Sequence, residues 1–95
     1  MSRKFVVVIE NITVDETNTL TEYFKKKHYG YWHWFRDLWL LVDPGGSLSE
    51  GDLRDKLREF VPKASTFVVR VEGNYYSGMC HEDGHKWLEE TWQKY

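Results

Sequence analysis

The stretch Tyr29 to Asp43, YGYWHWFRDLWLLVD, limits what this chain can fold into more than any other. It holds three of the five tryptophans, so whatever it forms must sit where large rings can be buried. Aromatic and β-branched enrichment favours strand over helix, and the run is bounded by Gly30 and by Pro44-Gly45-Gly46. It reads as a β-hairpin. Trp32, His33, Trp34 and Phe35 form an aromatic strand, Arg36 and Asp37 the turn, and Leu38 to Val42 an apolar strand. Arg-Asp is not the Asn-Gly of a tight primed turn, so the residues leave the turn type open. Trp39, Leu40 and Leu41 in succession predict a strand covered on both faces at the middle of a sheet.

The remaining elements arrange themselves around that hairpin. Phe5 to Ile12, FVVVIENI, predicts a central first strand, followed by a loop over Thr13 to Thr17. Thr19-Leu20-Thr21-Glu22 matches a capping box, which predicts a helix beginning there, with Leu20, Tyr23, Phe24 and Lys27 on one face. Lys25, Lys26 and Lys27 close this helix. They suit the negative end of its dipole, or alternatively bind phosphate. Ser47-Leu48-Ser49-Glu50 again fits a capping box. It opens a second helix, from about Ser49 to Phe60, that stops before Pro62. Its buried stripe is Leu53, Leu57, Phe60 and Val61. Thr66 to Val71 reads as a further strand in which Phe67, Val69 and Val71 alternate with Val68 and Arg70. Tyr75-Tyr76 reads as a short edge strand, Gly78 to Gly84 as a loop, and His85 to Tyr95 as a C-terminal helix carrying Leu88, Thr91, Trp92 and Tyr95 on one stripe. The order is the β-α-β-β-α-β of an antiparallel, ferredoxin-like α+β sheet, here with an extra C-terminal strand and helix. Both main helices then lie on one face, and the surplus aromatics and the C-terminal helix, of the same chain or of a partner's, cover the other.

Ninety-five residues fit one domain, 1–95. The net charge of −2 gives no global basic field and argues against nonspecific coating of DNA. A single cysteine, Cys80, implies no internal disulfide and a reducing compartment. With no visible signal peptide and no long apolar run, the sequence predicts a cytoplasmic protein with no membrane partner. Aromatics at 17% exceed what so small a core readily hides, which points to a homodimer or larger assembly.

Trp32-His33, Leu38-Trp39-Leu40-Leu41, Leu53-Arg54-Asp55-Lys56-Leu57, Thr66-Phe67-Val68-Val69 and Trp87-Leu88 are similar to the pattern of the small SinR-like family, which resembles Cas two, the CRISPR-associated endoribonuclease-type subunit. The likeness covers most of residues 4 to 92. It implies a ferredoxin-like domain that dimerises, with the extra C-terminal strand lying on the partner. In the nuclease relatives an aspartate ends the first strand and holds a divalent metal near the dimer axis. The matching residue here is Asn11, which is neutral and neither anchors Mg²⁺ by charge nor activates water. The resemblance with this departure implies a protein without the hydrolytic activity.

Two local patterns bear on chemistry. Cys80, His81 and His85 form C-H-x-x-x-H, but Gly84 intervenes and no fourth ligand is near, so the expectation is a loop and helix start with no metal and no cofactor. Cys80-His81 as nucleophile and base lacks a recognisable oxyanion loop. The aromatics are more informative. Tyr31, Trp32, Trp34 and Tyr75 offer stacking surfaces for bases, with Tyr29 and Tyr76 near them. Lys26, Lys27, Arg36 and Arg70 offer charge for phosphates, with Lys25 and Arg54 as further cations. The competing reading assigns most of these rings to the core or a dimer interface. The expected function is a non-catalytic dimer that captures a nucleotide or short nucleic acid. By analogy from size and the silent site, its role would be to sequester a nucleotide immune signal in phage–host conflict. The alternatives are a metal-dependent endoribonuclease using Asp15, Glu10 or Asp43, and a protein-interaction module.

Overall fold

The computed structural model describes residues 1–79 and 81–95, and the Cys80 thiol of the C-H-x-x-x-H pattern lies outside them. Four strands and three helical stretches follow one another: β1 (Arg3–Ile9), α1 (Val14–Lys26), β2 (Gly30–Phe35), β3 (Leu38–Asp43), α2 (Glu50–Phe60), β4 (Thr66–Val71) and α3 (Glu82–Trp87). The last helix continues into a π-helical segment, Leu88–Trp92. The sheet is antiparallel in the order β2-β3-β1-β4. The most apolar strands of the sequence, β1 and β3, therefore take the two inner positions, as their continuous hydrophobic runs require.

The C-terminal helix begins at Glu82, inside the loop expected over Gly78 to Gly84, and two further expectations need correction. First, Tyr75-Tyr76 is not a strand, so the sheet has four strands among the described residues and no extra C-terminal one. Gly73 takes φ +74°, turning the chain off the sheet edge before Tyr75 can pair. Second, α1 does not begin at Thr19. Its N-cap is Thr13, whose hydroxyl accepts from the Glu16 amide at 3.1 Å while the Thr13 amide donates to the Glu16 carboxylate at 3.0 Å. Thr13-x-x-Glu16 and Thr19-x-x-Glu22 carry the same pattern six residues apart. The earlier one wins because it lets the helix start directly after Ile12, which is buried in the core.

The two faces of the sheet bury different things. On one, α1 and α2 cover Phe5, Val7, Ile9, Trp39 and Leu41 with Leu20, Phe24, Leu53, Leu57 and Val61. Trp39 is fully buried there, its indole edge-on to Phe24 with ring centroids 5.7 Å apart. On the other face α3 and its π-helical extension lay Leu88 and Trp92 on Leu40 and Val42, with Val6, Trp32, Trp34, Val71 and Trp87 around them. The alternating triplet of β4 belongs to this second face, since Phe67, Val69 and Val71 pair with Val8, Val6 and Lys4. Val68, between them, joins the helix-side core.

The hairpin is not a simple alternating ribbon. A bulge between His33 and Phe35 places Phe35 opposite Leu38, on the side of Trp32, rather than beside His33 as strict alternation predicts. Neither Arg36 nor Asp37 has a positive φ, so the turn is not a primed type, and the bulge absorbs the mismatch between such a turn and the strand twist. His33 lies flat on Trp39, with centroids 3.8 Å apart and planes 5° from parallel. Its Nε2 is 2.9 Å from the Arg36 carbonyl, which can only accept, so Nε2 carries the proton.

A candidate ring-binding pocket on the second sheet face

The C-terminal helical stretch covers only part of the second face. Across the sheet run three rows of opposed residues: Gly30–Val42–Lys4–Val71, Trp32–Leu40–Val6–Val69, and Phe35–Leu38–Val8–Phe67. The helix ends over the first two rows near β2 and β3. Toward the third, and toward β4, apolar side chains stand in water: Phe35 is 58% exposed, Phe67 66% and Val69 41%.

Between the covered and the open part lies a cavity of about 380 Å³. Its floor is aliphatic, made of Val6, Leu38, Leu40 and Val71 from the sheet. Trp34 forms one wall, and Leu88 with Trp92 forms the other. The roof is the segment Tyr75–Met79, held by two contacts of its own and a third at Asn74 just before it. Lys4 Nζ donates to Asn74 Oδ1 at 2.7 Å, and Gln93 Nε2 donates to the Tyr76 hydroxyl at 2.6 Å. Gly78 lies so close to Trp34 that a Cβ built there would be 2.8 Å from Cζ2 of the indole. Volume and ring content suit one flat molecule of the size of a nucleobase with part of its sugar.

The residues singled out from sequence fall into separate places. Trp34 and Tyr75 meet at this cavity, Tyr75 at its rim as a residue 95% exposed. Trp32 is on the same face but stacks on Trp87, with centroids 6.3 Å apart and planes 29° from parallel. Tyr31 is on the opposite face, packed against Phe24 and Trp39. Arg70 is also on the helix side, across from Phe5, with Nε 3.8 Å from a Glu50 carboxylate oxygen. Arg36, in the hairpin turn, donates to the Ile12 carbonyl at 3.4 Å. Lys26 and Lys27 lie where α1 ends, just before the start of β2, whereas Arg36 follows its end. The six residues of β2 separate them by about 20 Å, too far to grip one phosphate together. Lys26 instead borders a shallow groove with Tyr23 and Phe60.

The carboxylates named for a hydrolytic alternative are also dispersed. Asp43 is 5% exposed, and its carboxylate accepts from the amides of Gly45, Ser47 and Leu48, which fixes the loop leading to α2. Asp15 is exposed in the first turn of α1. Glu10 is exposed and accepts from Asn11 Nδ2 at 3.4 Å, with Asn11 in the left-handed region at φ 58°. Among the described residues no group of three or more His, Cys, Asp or Glu side chains is placed to hold a metal ion. No helix among them is long and apolar enough to cross a membrane.

Sequence reasoning missed Lys4, Gly78 and Trp92 as parts of this site. Lys4 had a readable signal: it shares the alternation of Val6 and Val8, so a charge stands on an apolar strand face. Gly73 and Gly78 bracketing Asn74-Tyr75-Tyr76 marked a folded-back loop. Neither signal says what the loop folds onto.

No family model, no curated protein and no solved structure matches this chain.

Proposed function

We propose that this chain is a binding protein that captures a nucleotide or short nucleic acid through its ring system and does not turn it over. The observation that carries the reading is the cavity walled by Trp34 and Trp92 and rimmed by Tyr75, on a face whose apolar surface is only partly covered. Base–aromatic stacking is worth ~1–3 kcal/mol per base and tolerates any base. The element order and the sheet order β2-β3-β1-β4 support a ferredoxin-like, split βαβ reading of the fold. The resemblance to the SinR-like and Cas two pattern rests on residues that fall on this sheet, on α2 and, for Trp87-Leu88, on the C-terminal helical stretch. Asn11, in the turn two residues past the end of β1, supports the non-hydrolytic form of that reading, and sequestration of a nucleotide signal is the role it suggests.

The exposed row of Phe35 and Phe67 on either side of Leu38 and Val8 supports assembly as a dimer through the open part of the face, since large apolar patches are uncommon on monomers. The same row supports the second reading, a module that grips another protein.

Calorimetric titration with mono-, di- and cyclic oligonucleotides and short single strands tests the proposal. Binding by the wild type should weaken roughly tenfold to a hundredfold in Trp34→Ala, the equivalent of ~1–3 kcal/mol, with the fold retained. No binding of any member at high micromolar concentration would defeat it and favour the protein-interaction reading. A monomer mass by light scattering would remove the dimer.

A further inference from the structure

Lys4 is 5% exposed, and the three groups its ammonium meets, the Gly73 carbonyl, the Asn74 amide and the Trp92 ring, are neutral. It sits on β1 between Val42 and Val71, one step along the same face from Val6. Nζ donates to Asn74 Oδ1 at 2.7 Å, makes a long 3.4 Å contact to the Gly73 carbonyl and lies 5.4 Å from the centroid of the Trp92 ring. Among the described residues it forms no ion pair with a carboxylate. Burial lowers its pKa, because the charged form is disfavoured away from water. Three of the groups that surround it, Val71, Gly73 and Trp92, also line the cavity. Lys4 does not itself line the cavity, but a largely covered cation, with part-buried hydrogen bonds and no carboxylate partner among the described residues, thus stands behind one end of an apolar, ring-walled pocket. Such a charge is costly as it stands and gains most from an anion that reaches it, through a short charge-assisted hydrogen bond.

We propose that Lys4 is the anion-receiving group of this pocket, so that its ligand is a flat apolar ring bearing an anionic group, carboxylate or phosphate, which displaces the long Gly73 contact. The ring lies over Val6 and Leu40 against Trp34, and the anion points toward the start of β1. This rests on the reading of the cavity as a ring-binding site and adds to it the charge that Lys26, Lys27, Arg36 and Arg70, on the opposite face or at the sheet ends, do not supply.

The test is calorimetric titration of two matched pairs, adenosine against adenosine monophosphate and indole-3-acetamide against indole-3-acetate. Wild type, Lys4→Met, Lys4→Gln and Asn74→Ala are compared, each with its melting temperature. Wild type should bind the anionic member of a pair at least ~10-fold tighter than the neutral one, a difference of ~1.4 kcal/mol. The pair with the larger preference tells phosphate from carboxylate. In Lys4→Met or Lys4→Gln, whichever folds, that preference should vanish while the neutral member keeps its affinity within about threefold. Asn74→Ala removes the neutral partner and should leave the preference intact. The proposal is overturned if wild type binds both members equally, if the preference survives loss of the amine, or if Asn74→Ala abolishes it as Lys4→Met does. That last result would make Lys4 a fastener for the roof segment. If no member of either pair binds, the ring-binding reading falls as well.

Discussion

The two faces of one sheet are built from the same strands and end in different states. The face toward α1 and α2 is closed: Phe5, Val7, Ile9, Trp39 and Leu41 are all fully buried. The face toward α3 holds four of the five tryptophans, yet leaves a cavity and a row of exposed apolar side chains. Two helices of 13 and 11 residues cover the first face, whereas a short helix of 6 residues with a π-helical extension of 5 has to cover the second. The second cannot reach across four strands. The difference teaches that large rings need not mean a large core. Here one face spends its aromatics on stability, and the other holds them around a space that remains open.

The comparison breaks most visibly at one tryptophan of each face, Trp39 and Trp34. Trp39→Ala, on the closed face, should cost ~3–5 kcal/mol of unfolding free energy in urea or thermal melts, since a fully buried ring leaves a cavity that α1 and β3 cannot close. If Trp39→Ala were as mild as Trp34→Ala, the faces would not differ as described. Thr13→Ala should cost about 1 kcal/mol, because it removes the hydroxyl that caps the helix holding Leu20 and Phe24 on that same face. Faster hydrogen exchange confined to the amides of α1 would localise the loss there. Phe67→Ser, on the open face, should change stability by no more than about 0.5 kcal/mol, and light scattering should show it weakening the dimer proposed above. A large stability loss there would show that the open row is core after all.

A fourth outcome concerns pH. Tyr29, packed against Tyr23 and Phe24, has its hydroxyl pKa pushed up from 10.0 to about 12, mainly by burial and then by Tyr23 and Asp43. The folded chain keeps this proton while the unfolded chain has released it, so the unfolded state binds fewer protons between these values. Stability should therefore fall as pH rises from 10 toward 12. Tyr29→Phe should reduce the fall in melting temperature between about pH 9 and about pH 11.5, by comparison with wild type. An identical fall in both proteins would place the alkaline sensitivity elsewhere.

Much of the closed face was legible from the residues. Continuous β-branched and leucine-rich runs placed β1 and β3 at the centre, and the spacing of Leu53, Leu57 and Val61 placed α2 on them. What misled was local ambiguity. Thr13 and Thr19 each begin a valid capping pattern, and only the burial of Ile12 chooses between them. The bulge at His33 to Phe35 was not legible, because it follows from joining a non-primed turn to a twisted ribbon. The pocket was least legible of all. It depends on contacts far apart in sequence, Lys4 with Asn74 and Trp34 with Gly78, and no periodicity of either segment reports them. Ring-rich composition pointed to stacking surfaces, but it grouped Tyr31 and Arg70 with Trp34, and the register puts them on opposite faces.

The most direct test of the two-face account is a heteronuclear spectrum of the indole N–H groups during titration with a nucleotide. The five tryptophans give one such signal each, and they divide between the faces. The account predicts that Trp34 and Trp92, which wall the cavity, shift most, that Trp32 and Trp87 move less, and that Trp39 stays in place. A saturable shift centred on Trp39, or binding that leaves Trp34 and Trp92 unmoved, would contradict it.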